Sequence, residues 1–376
     1  MQHQMPNHLN DSERQRYSRQ IILPDLGETG QTRLKQTRVL LVGSGALGSP
    51  AALYLAAAGI GHLVLVDPDA VELSNLHRQI LHGTRTLGHP KTASATELLH
   101  NLNPEITITG HTVRLTPDNA LQLAQGCHII VDGCDNFPTR FLTNDLGFFE
   151  RIPVVHGAID RFQGQVSVSS PAHGGPCYRC LLPTLPPPGS VPSCQEAGVI
   201  GALPGIIGSM MAMEAIKLAL NIGDPLIGRL LIHDAWTSRT RCLALRPDPL
   251  CPLCGSQPSI RSLHNPETTA SATCTTSDSA HDTITVHELQ NLLHSGFDGI
   301  LIDVREPAEH AARHIPQALL IPLGHLDQRA HELPKDKDII LHCKMGGRSA
   351  KALALLKSLG FTRIRHLTGG IDAWPQ

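Results

Sequence analysis

The chain has 376 residues, 41% of them hydrophobic, and carries 31 Lys and Arg against 33 Asp and Glu for a formal net charge of -2. That length accommodates two domains with sizeable cores. With no long Lys/Arg run and only 3% aromatic residues, neither a basic nucleic-acid face nor a base-stacking platform is expected, so nucleic acid is excluded from the expected partners.

Met1 to Arg16 is polar and has no apolar core segment, so no signal peptide is expected. Ten cysteines without such a leader fit the reducing cytoplasm, where Cys pairs serve as metal or redox sites rather than disulfides. Residues 12–256 alternate apolar strands with helical stretches. Arg38 to Gly43 is a buried strand, Ala46 to Ala58 a helix, and His62 to Asp67 a second strand. Ile106 to Val113 and His128 to Gly133 follow as third and fourth strands, and 152–159 and Gly164 to Ser170 extend the set. The rhythm implies an α/β, Rossmann-like architecture with a mainly parallel sheet and helices on both faces. Ala197 to Met213 is uncharged, but it is short, contains Pro204 and runs into Glu214 and Lys217. It reads as a buried core helix rather than a membrane span. Residues 257–282, rich in Thr, Ser and Ala, read as a flexible linker, and residues 283–376 as a second α/β unit.

Gly43-Ser44-Gly45-Ala46-Leu47-Gly48 joins the first strand to its helix. Small residues there let the backbone approach a phosphate at a helix N-terminus. Asp67 closes the second strand, where it can accept hydrogen bonds from ribose hydroxyls. To this point an NAD-dependent oxidoreductase fits equally well. Arg78, within Ser74-Asn75-Leu76-His77-Arg78-Gln79, and Lys91 shift the balance, because two cations beside the loop suit ATP and Mg²⁺ better than a lone pyrophosphate. Asp132-Gly133-Cys134-Asp135-Asn136 ends the fourth strand at the ligand-binding edge of the sheet, with Asp135 as a Mg²⁺ ligand or phosphate-side carboxylate.

Together with Arg16-Tyr17-Ser18-Arg19-Gln20-Ile21, the segments GSGALGSP, VDPDAVELSNLHRQ and DGCDN resemble the ThiF/MoeB/HesA family of ubiquitin-activating (E1-like) adenylyltransferases, from about Arg16 to Gly255. The resemblance implies backbone contact to the nucleotide at Gly43, Gly45, Ala46 and Gly48, with Ala46 standing where many relatives have glycine. It implies that Asp67 holds the ribose, that Asn75, Arg78 and Lys91 orient and neutralise the phosphates, and that Asp135 binds Mg²⁺. Ser74, Leu76, His77 and Asn136 belong to the same nucleotide-binding motifs. Arg19 resembles an arginine that reaches the ATP of a partner subunit, which implies a homodimer.

Cys177-Tyr178-Arg179-Cys180 and Cys251-Pro252-Leu253-Cys254 are two Cys-x₂-Cys pairs. Four thiolates complete a closed tetrahedral Zn²⁺ site with no place for water, so its role is structural; a redox dithiol is the alternative. The resemblance points to zinc as well, and it gives Cys194 the position of a cysteine that takes a covalent link to a carrier protein. Cys127, Cys134, Cys242 and Cys274 receive no role.

In the C-terminal unit Gly299 to Arg305 and Asp338 to His342 read as strands. The second ends at Cys343, and the loop Cys343-Lys344-Met345-Gly346-Gly347-Arg348 leads into a helix near Ser349. Loop N–H groups, the helix dipole, Lys344 and Arg348 would favour a thiolate or persulfide anion on Cys343. The unit resembles a rhodanese domain from about Thr283 to Trp374, with Arg313 and Gln317 standing where glycines are common. Its loop is one residue shorter than that of related phosphatases, which suits a sulfur atom rather than a phosphate.

The two resemblances imply one enzyme. ATP would adenylylate the C-terminal glycine of a ubiquitin-like sulfur-carrier protein ending in Gly-Gly. Sulfur from a cysteine desulfurase or thiosulfate would pass through Cys343, with Arg348 beside it, to give a thiocarboxylate. Arg78 and Asp135 would act in the first step and Cys194 in the release. An NAD-dependent oxidoreductase fused to rhodanese and an inactive carrier-binding scaffold are the competing readings.

Overall fold

The computed structural model describes residues 8–186, 198–264, 282–344 and 346–375. Two compact units are present: among the described residues the first takes 8–185 and 198–264, and the second takes 186, 282–344 and 346–375.

The first unit is built on one sheet in the order β3-β2-β1-β4-β5-β6-β7-β8. Strands β1 (Arg38–Val42), β2 (His62–Val66), β3 (Thr107–His111), β4 (Ile129–Asp132) and β5 (Val154–Asp160) are parallel. Strands β6 (Gln163–Ser169), β7 (Arg229–Asp234) and β8 (Arg239–Ala244) extend it antiparallel. Val39 to Leu41 and Leu63 to Leu65 have no solvent exposure, which explains why β1 and β2 are unbroken apolar runs: helices cover both faces. Strand β3 is shorter than 106–113 because β2 pairs it only from Thr107 to His111.

Strand β1 lies between β2 and β4, with Val42 opposite Val66 on one side and Asp132 on the other. Strand order reverses there, so the loops after all three strands open onto one crevice at the carboxyl edge. The helix Gly48–Ala58 leaves this edge and buries Ala51, Ala52, Leu55 and Ala56 completely.

The apolar stretch after residue 197 forms the helix Ala202–Leu220. It is long and apolar enough to span a bilayer by length and composition, but its face Leu203, Ile207, Met211 and Ala215 is fully buried in the core. It continues past Met213 because Glu214 is not a solvated stop: its carboxylate is buried and accepts the Leu226 N–H at 2.8 Å. Glycines on the sheet admit this helix. A Cβ at Gly157 would lie 2.2 Å from Met211 Sδ, and one at Gly164 2.2 Å from Ile207 Cγ1. At the turn between β7 and β8, Trp236 packs on Phe162 with ring centroids 4.6 Å apart and remains 76% exposed.

The second unit is a parallel sheet in the order β11-β10-β12-β13-β9. Its strands are β9 (Thr283–Ile284), β10 (Ile300–Asp303), β11 (Leu319–Leu320), β12 (Ile339–His342) and β13 (Ile364–Leu367). Strand β12 is central and buried, and the helix Gly347–Ser358 follows it after the Cys343 loop. Trp374 is half-buried against the cluster of Ile284, Leu301 and Ile371.

Candidate functional site

At the carboxyl edge of the first sheet, three glycines bring backbone against backbone. Gly43 has φ +89°, and a Cβ there would lie 2.9 Å from Gly133 O; one at Gly48 would lie 1.9 Å from Gly43 O. Gly45 differs, since its Cβ would meet only Gln79 Nε2, at 3.5 Å. Its lack of a side chain leaves open space above the loop instead of serving packing.

Asp67 ties this loop to the next. Its buried carboxylate accepts the Ser44 N–H at 2.7 Å and the Asp69 N–H at 2.9 Å. Burial pushes its carboxyl pKa up, opposed by the Lys91 charge. His82, which no motif singled out, holds the same loop from below, with Nε2 3.0 Å from Ser44 O and Nδ1 3.0 Å from Ser94 Oγ. Lys91 forms an ion pair with Asp69 at 2.8 Å. Arg78 folds back over its own turn, donating to Ser74 O and Asn75 Oδ1, each at 2.9 Å. Asn75 is buried, Leu76 half-buried, and Ser74 and His77 are exposed.

Asp135 is exposed, and Asn136 caps the helix Phe137–Phe149 by accepting the Thr139 N–H at 2.9 Å. Ala46 lies within the glycine loop. The fold therefore gathers the glycine loop, Asp67, Lys91 and the Asp132–Asn136 segment at one edge. Arg19 is exposed on the short helix Ser18–Ile21. Cys194 lies outside the described residues.

Behind this edge is a network that the motifs did not reveal. Asp132 has no solvent exposure; its Oδ2 lies 2.9 Å from His156 Nδ1 and 3.4 Å from Arg140 Nε. Burial alone would raise the Asp132 carboxyl, but His156, Arg140 and the Cys134 N–H hold it below the ordinary range. Burial in turn pushes the His156 imidazole down. Arg140 also donates to Cys134 O at 3.1 Å and Gly157 O at 2.6 Å. Together with Tyr178, Gln165 and Ser167, His156 and Arg140 line a cavity of about 130 Å³. Only pairings across distant segments create this network, so residue spacing carries no sign of it.

Tyr178 lies in the chain between two members of the four-cysteine cluster. Cys177 Sγ is 3.9 Å from Cys180 Sγ and 3.5 Å from Cys251 Sγ, Cys180 Sγ is 3.3 Å from Cys254 Sγ, and all four sulfurs lie within 4.8 Å of one another. A tetrahedron of Zn–S bonds of about 2.3 Å has S···S edges of about 3.8 Å, so the donor set fits zinc. Backbone N–H groups of Asp248 and Cys254 point at Cys180 and Cys251 sulfurs, at 3.3 and 3.5 Å. Hydrogen bonds from Cys177 and Cys254 drive Cys251 toward thiolate, while the hydrogen bond with Cys251 pushes Cys177 up. Four thiols at this spacing cannot all ionise without a cation between them. Arg179, bidentate to buried Asp145 with both contacts at 2.7 Å, fixes the intervening turn to the helix Phe137–Phe149.

In the second unit Cys343 ends β12 with 1% exposure. Its sulfur receives the Gly346 N–H at 3.1 Å and lies 3.6 Å from Ser349 Oγ, at the N-terminus of the helix Gly347–Ser358. The segment Gly369–Asp372 closes over the loop: Ile371 N–H donates to Cys343 O at 2.8 Å and Asp372 N–H to Lys344 O at 3.0 Å. Arg348 does not offer its charge to the sulfur alone. It forms a bidentate pair with Glu309, at 2.6 and 2.7 Å. Of the two residues standing in for glycine, Arg313 has ordinary extended backbone, whereas Gln317 has φ +67°. Glycine is favoured only at the second.

A switch-point nucleotide edge, a four-thiol cluster and a thiol in an anion-stabilising loop define an E1-like adenylyltransferase joined to a rhodanese-type sulfurtransferase. The chain belongs to the ThiF family, which it matches over residues 17–253, and residues 285–376 match the Rhodanese-like domain. It is 44% identical to the "Probable adenylyltransferase/sulfurtransferase MoeZ" of Mycobacterium tuberculosis, over 98% of this chain and 94% of that protein. It is 40% identical to the "Adenylyltransferase and sulfurtransferase MOCS3" of Aedes aegypti, over 98% and 88%. The "Sulfur carrier protein adenylyltransferase" of Thermus thermophilus is 50% identical over 66% of this chain and 93% of its own length. Among solved structures, the microcin C7 biosynthetic enzyme MccB with N-formylated MccA shares the fold, with TM-score 0.58 at 20% identity over 67% of this chain and 77% of that one. The family match decides against the NAD-dependent reading.

Proposed function

We propose that the chain adenylylates the C-terminal glycine of a ubiquitin-like sulfur-carrier protein and then converts that carboxylate to a thiocarboxylate. The observation that carries this reading is the presence, in one chain, of a glycine loop open at Gly45 and a buried thiol aimed at by a loop N–H. Its full-length likeness to proteins named for both activities supports it.

A carboxylate is a poor acyl donor because its leaving group would be oxide. Attack of its oxygen on the α-phosphorus of ATP makes a mixed anhydride and expels pyrophosphate. In this reading the glycine loop cradles the nucleotide, Asp67 receives the ribose hydroxyls, and Arg78 and Lys91 exchange their present partners, Asn75 and Asp69, for phosphate oxygens. Exposed Asp135 would hold Mg²⁺, which suits an ion that keeps most of its ligands as phosphate oxygens and water. That ion would supply charge neutralisation on the departing pyrophosphate. Arg19, exposed near the N-terminus, would complete the site of a partner subunit in a homodimer.

The terminal sulfur of a Cys343 persulfide then attacks the acyl carbon, forming an acyl disulfide and releasing AMP. Attack of the Cys194 thiolate on Cys343 Sγ frees the thiocarboxylate and leaves a Cys194–Cys343 disulfide. Two external thiols, themselves oxidised to a disulfide, supply the two electrons and two protons that reduce it. A cysteine desulfurase or thiosulfate would reload Cys343, and the chemistry suits the reducing cytoplasm. Zinc at Cys177, Cys180, Cys251 and Cys254 would be structural. Intact mass spectrometry of Gly-Gly-ended carriers after incubation with ATP and thiosulfate tests the reading. One sulfur in place of one oxygen is expected, and no mass change with any such carrier would refute it.

A further inference from the structure

We propose that His156 is a positioning residue for the substrate, its Nε2 accepting an N–H from a glycine-sized stretch of peptide backbone that lies in the cavity beside Tyr178. The inference rests on the adenylylation reading above and assigns the feature by which this chain holds the incoming end.

The ring is 3% exposed, and its Nδ1 is committed to Asp132 at 2.9 Å. Its Nε2 is buried with no hydrogen-bond partner among the described residues, although His156 lines the cavity. A buried polar atom left unmet costs about 1–3 kcal/mol, so an atom kept in this condition beside a cavity marks a place for a ligand. Asp132, an acceptor without solvent exposure, selects the tautomer with the proton on Nδ1 and leaves Nε2 as an acceptor. The ligand group must therefore be a donor.

Buried Arg140 lines the same cavity, so a cationic donor is disfavoured and a neutral amide N–H fits. Size narrows the choice further. Gly157 and Ala158 on β5 and Ser167 on β6 form small-residue walls, against which a stretch of backbone without side chains can lie closely. Another wall is Phe137, the first residue of the helix capped by Asn136, next to Asp135 in the chain. A further lining residue, Tyr178, lies between two cysteines of the cluster, with its ring centroid 5.0 Å from that of His156. The four-cysteine cluster thus fixes one side of the subsite.

The test uses the full chain and a ubiquitin-like sulfur-carrier protein ending in Gly-Gly, followed by carrier-dependent ATP–pyrophosphate exchange. His156→Phe keeps a flat ring and removes the Nε2 acceptor together with the Nδ1–H donated to Asp132, a bond that the methylated carriers below leave in place. It is expected to raise KM for the carrier about tenfold, equivalent to 1.4 kcal/mol, with kcat and KM for ATP within about twofold of wild type. His156→Gln, whose amide oxygen can replace Nε2, is expected to recover most of the loss. Carriers N-methylated at each terminal glycine amide in turn add a measurement on the wild-type protein. One of them should bind about tenfold more weakly to wild type, yet no more weakly than the unmodified carrier to His156→Phe. Unchanged KM in His156→Phe, or an equal methylation penalty in both proteins, overturns the proposal. Silence of wild type with every carrier sinks the adenylylation reading itself and this inference with it. Should His156→Phe fail to fold, His156→Gln and the methylated carriers on wild type still decide.

Discussion

The two sites of this chain solve anion binding in opposite ways. In the first unit the charged groups expected to meet the nucleotide are engaged with their own chain or face water: Lys91 with Asp69, Arg78 with Ser74 and Asn75, Asp135 in solvent. What is fixed there is backbone, the contact of Gly43, Gly48 and Gly133. In the second unit the Cys343 thiol is nearly sealed, and an N–H already points at it. The difference follows from where the charge originates. A triphosphate brings its own charge and can recruit side chains on arrival. A persulfide anion is made on the protein, so its stabilising dipoles must be in place beforehand.

The sharpest way to break this contrast is to remove one half of it. Cys343→Ala should abolish thiocarboxylate formation, on the order of 10³-fold or more, while carrier-dependent pyrophosphate exchange persists; loss of both activities would show that the sites are not separable. Cys251→Ser should cost the first unit several kcal/mol of stability by opening the four-thiol cluster, lowering its circular-dichroism melting transition while thiosulfate-to-cyanide sulfur transfer continues at room temperature.

Acid should act on the second unit. The buried His342 imidazole is pushed from 6.5 to about 4, chiefly by burial. The unfolded chain takes up a proton near the ordinary value, whereas the folded chain resists until about 4. Stability is therefore intact above 6.5 and falls as pH drops through that interval, by on the order of 3 kcal/mol, read as denaturant midpoints against pH. Asp135→Asn should slow exchange about 10²-fold and leave sulfur transfer to cyanide unchanged. The smallest effect is Gln317→Gly, which relieves a left-handed backbone at φ +67° and should stabilise the second unit by about 1 kcal/mol, seen as a higher denaturant midpoint.

Sequence made the skeleton legible where chemistry is local. The strand–glycine loop–helix run, Asp67 at a strand end, the paired cysteines and the Cys343 loop are each read from contiguous residues. Side-chain pairing across the fold was not legible. Arg348, expected beside Cys343, also meets Glu309, thirty-nine residues away. The Asp132–His156–Arg140 network joins β4, β5 and the helix between them, and His82 reaches Ser44 from a loop with no recognisable motif. Nothing in spacing encodes such encounters, because they depend on which strands become neighbours. The helix Ala202–Leu220 outran its expected end for the same reason: Glu214 has a backbone partner that only the fold provides.

The Trp236–Phe162 stack has a spectroscopic consequence. The chain has two tryptophans, and Trp236 is already 76% in water when folded. Unfolding changes its surroundings little, whereas half-buried Trp374 loses an apolar shelter. Intrinsic emission will therefore follow the rhodanese half almost alone, and collapse of the nucleotide-binding half could pass unseen under ultraviolet light.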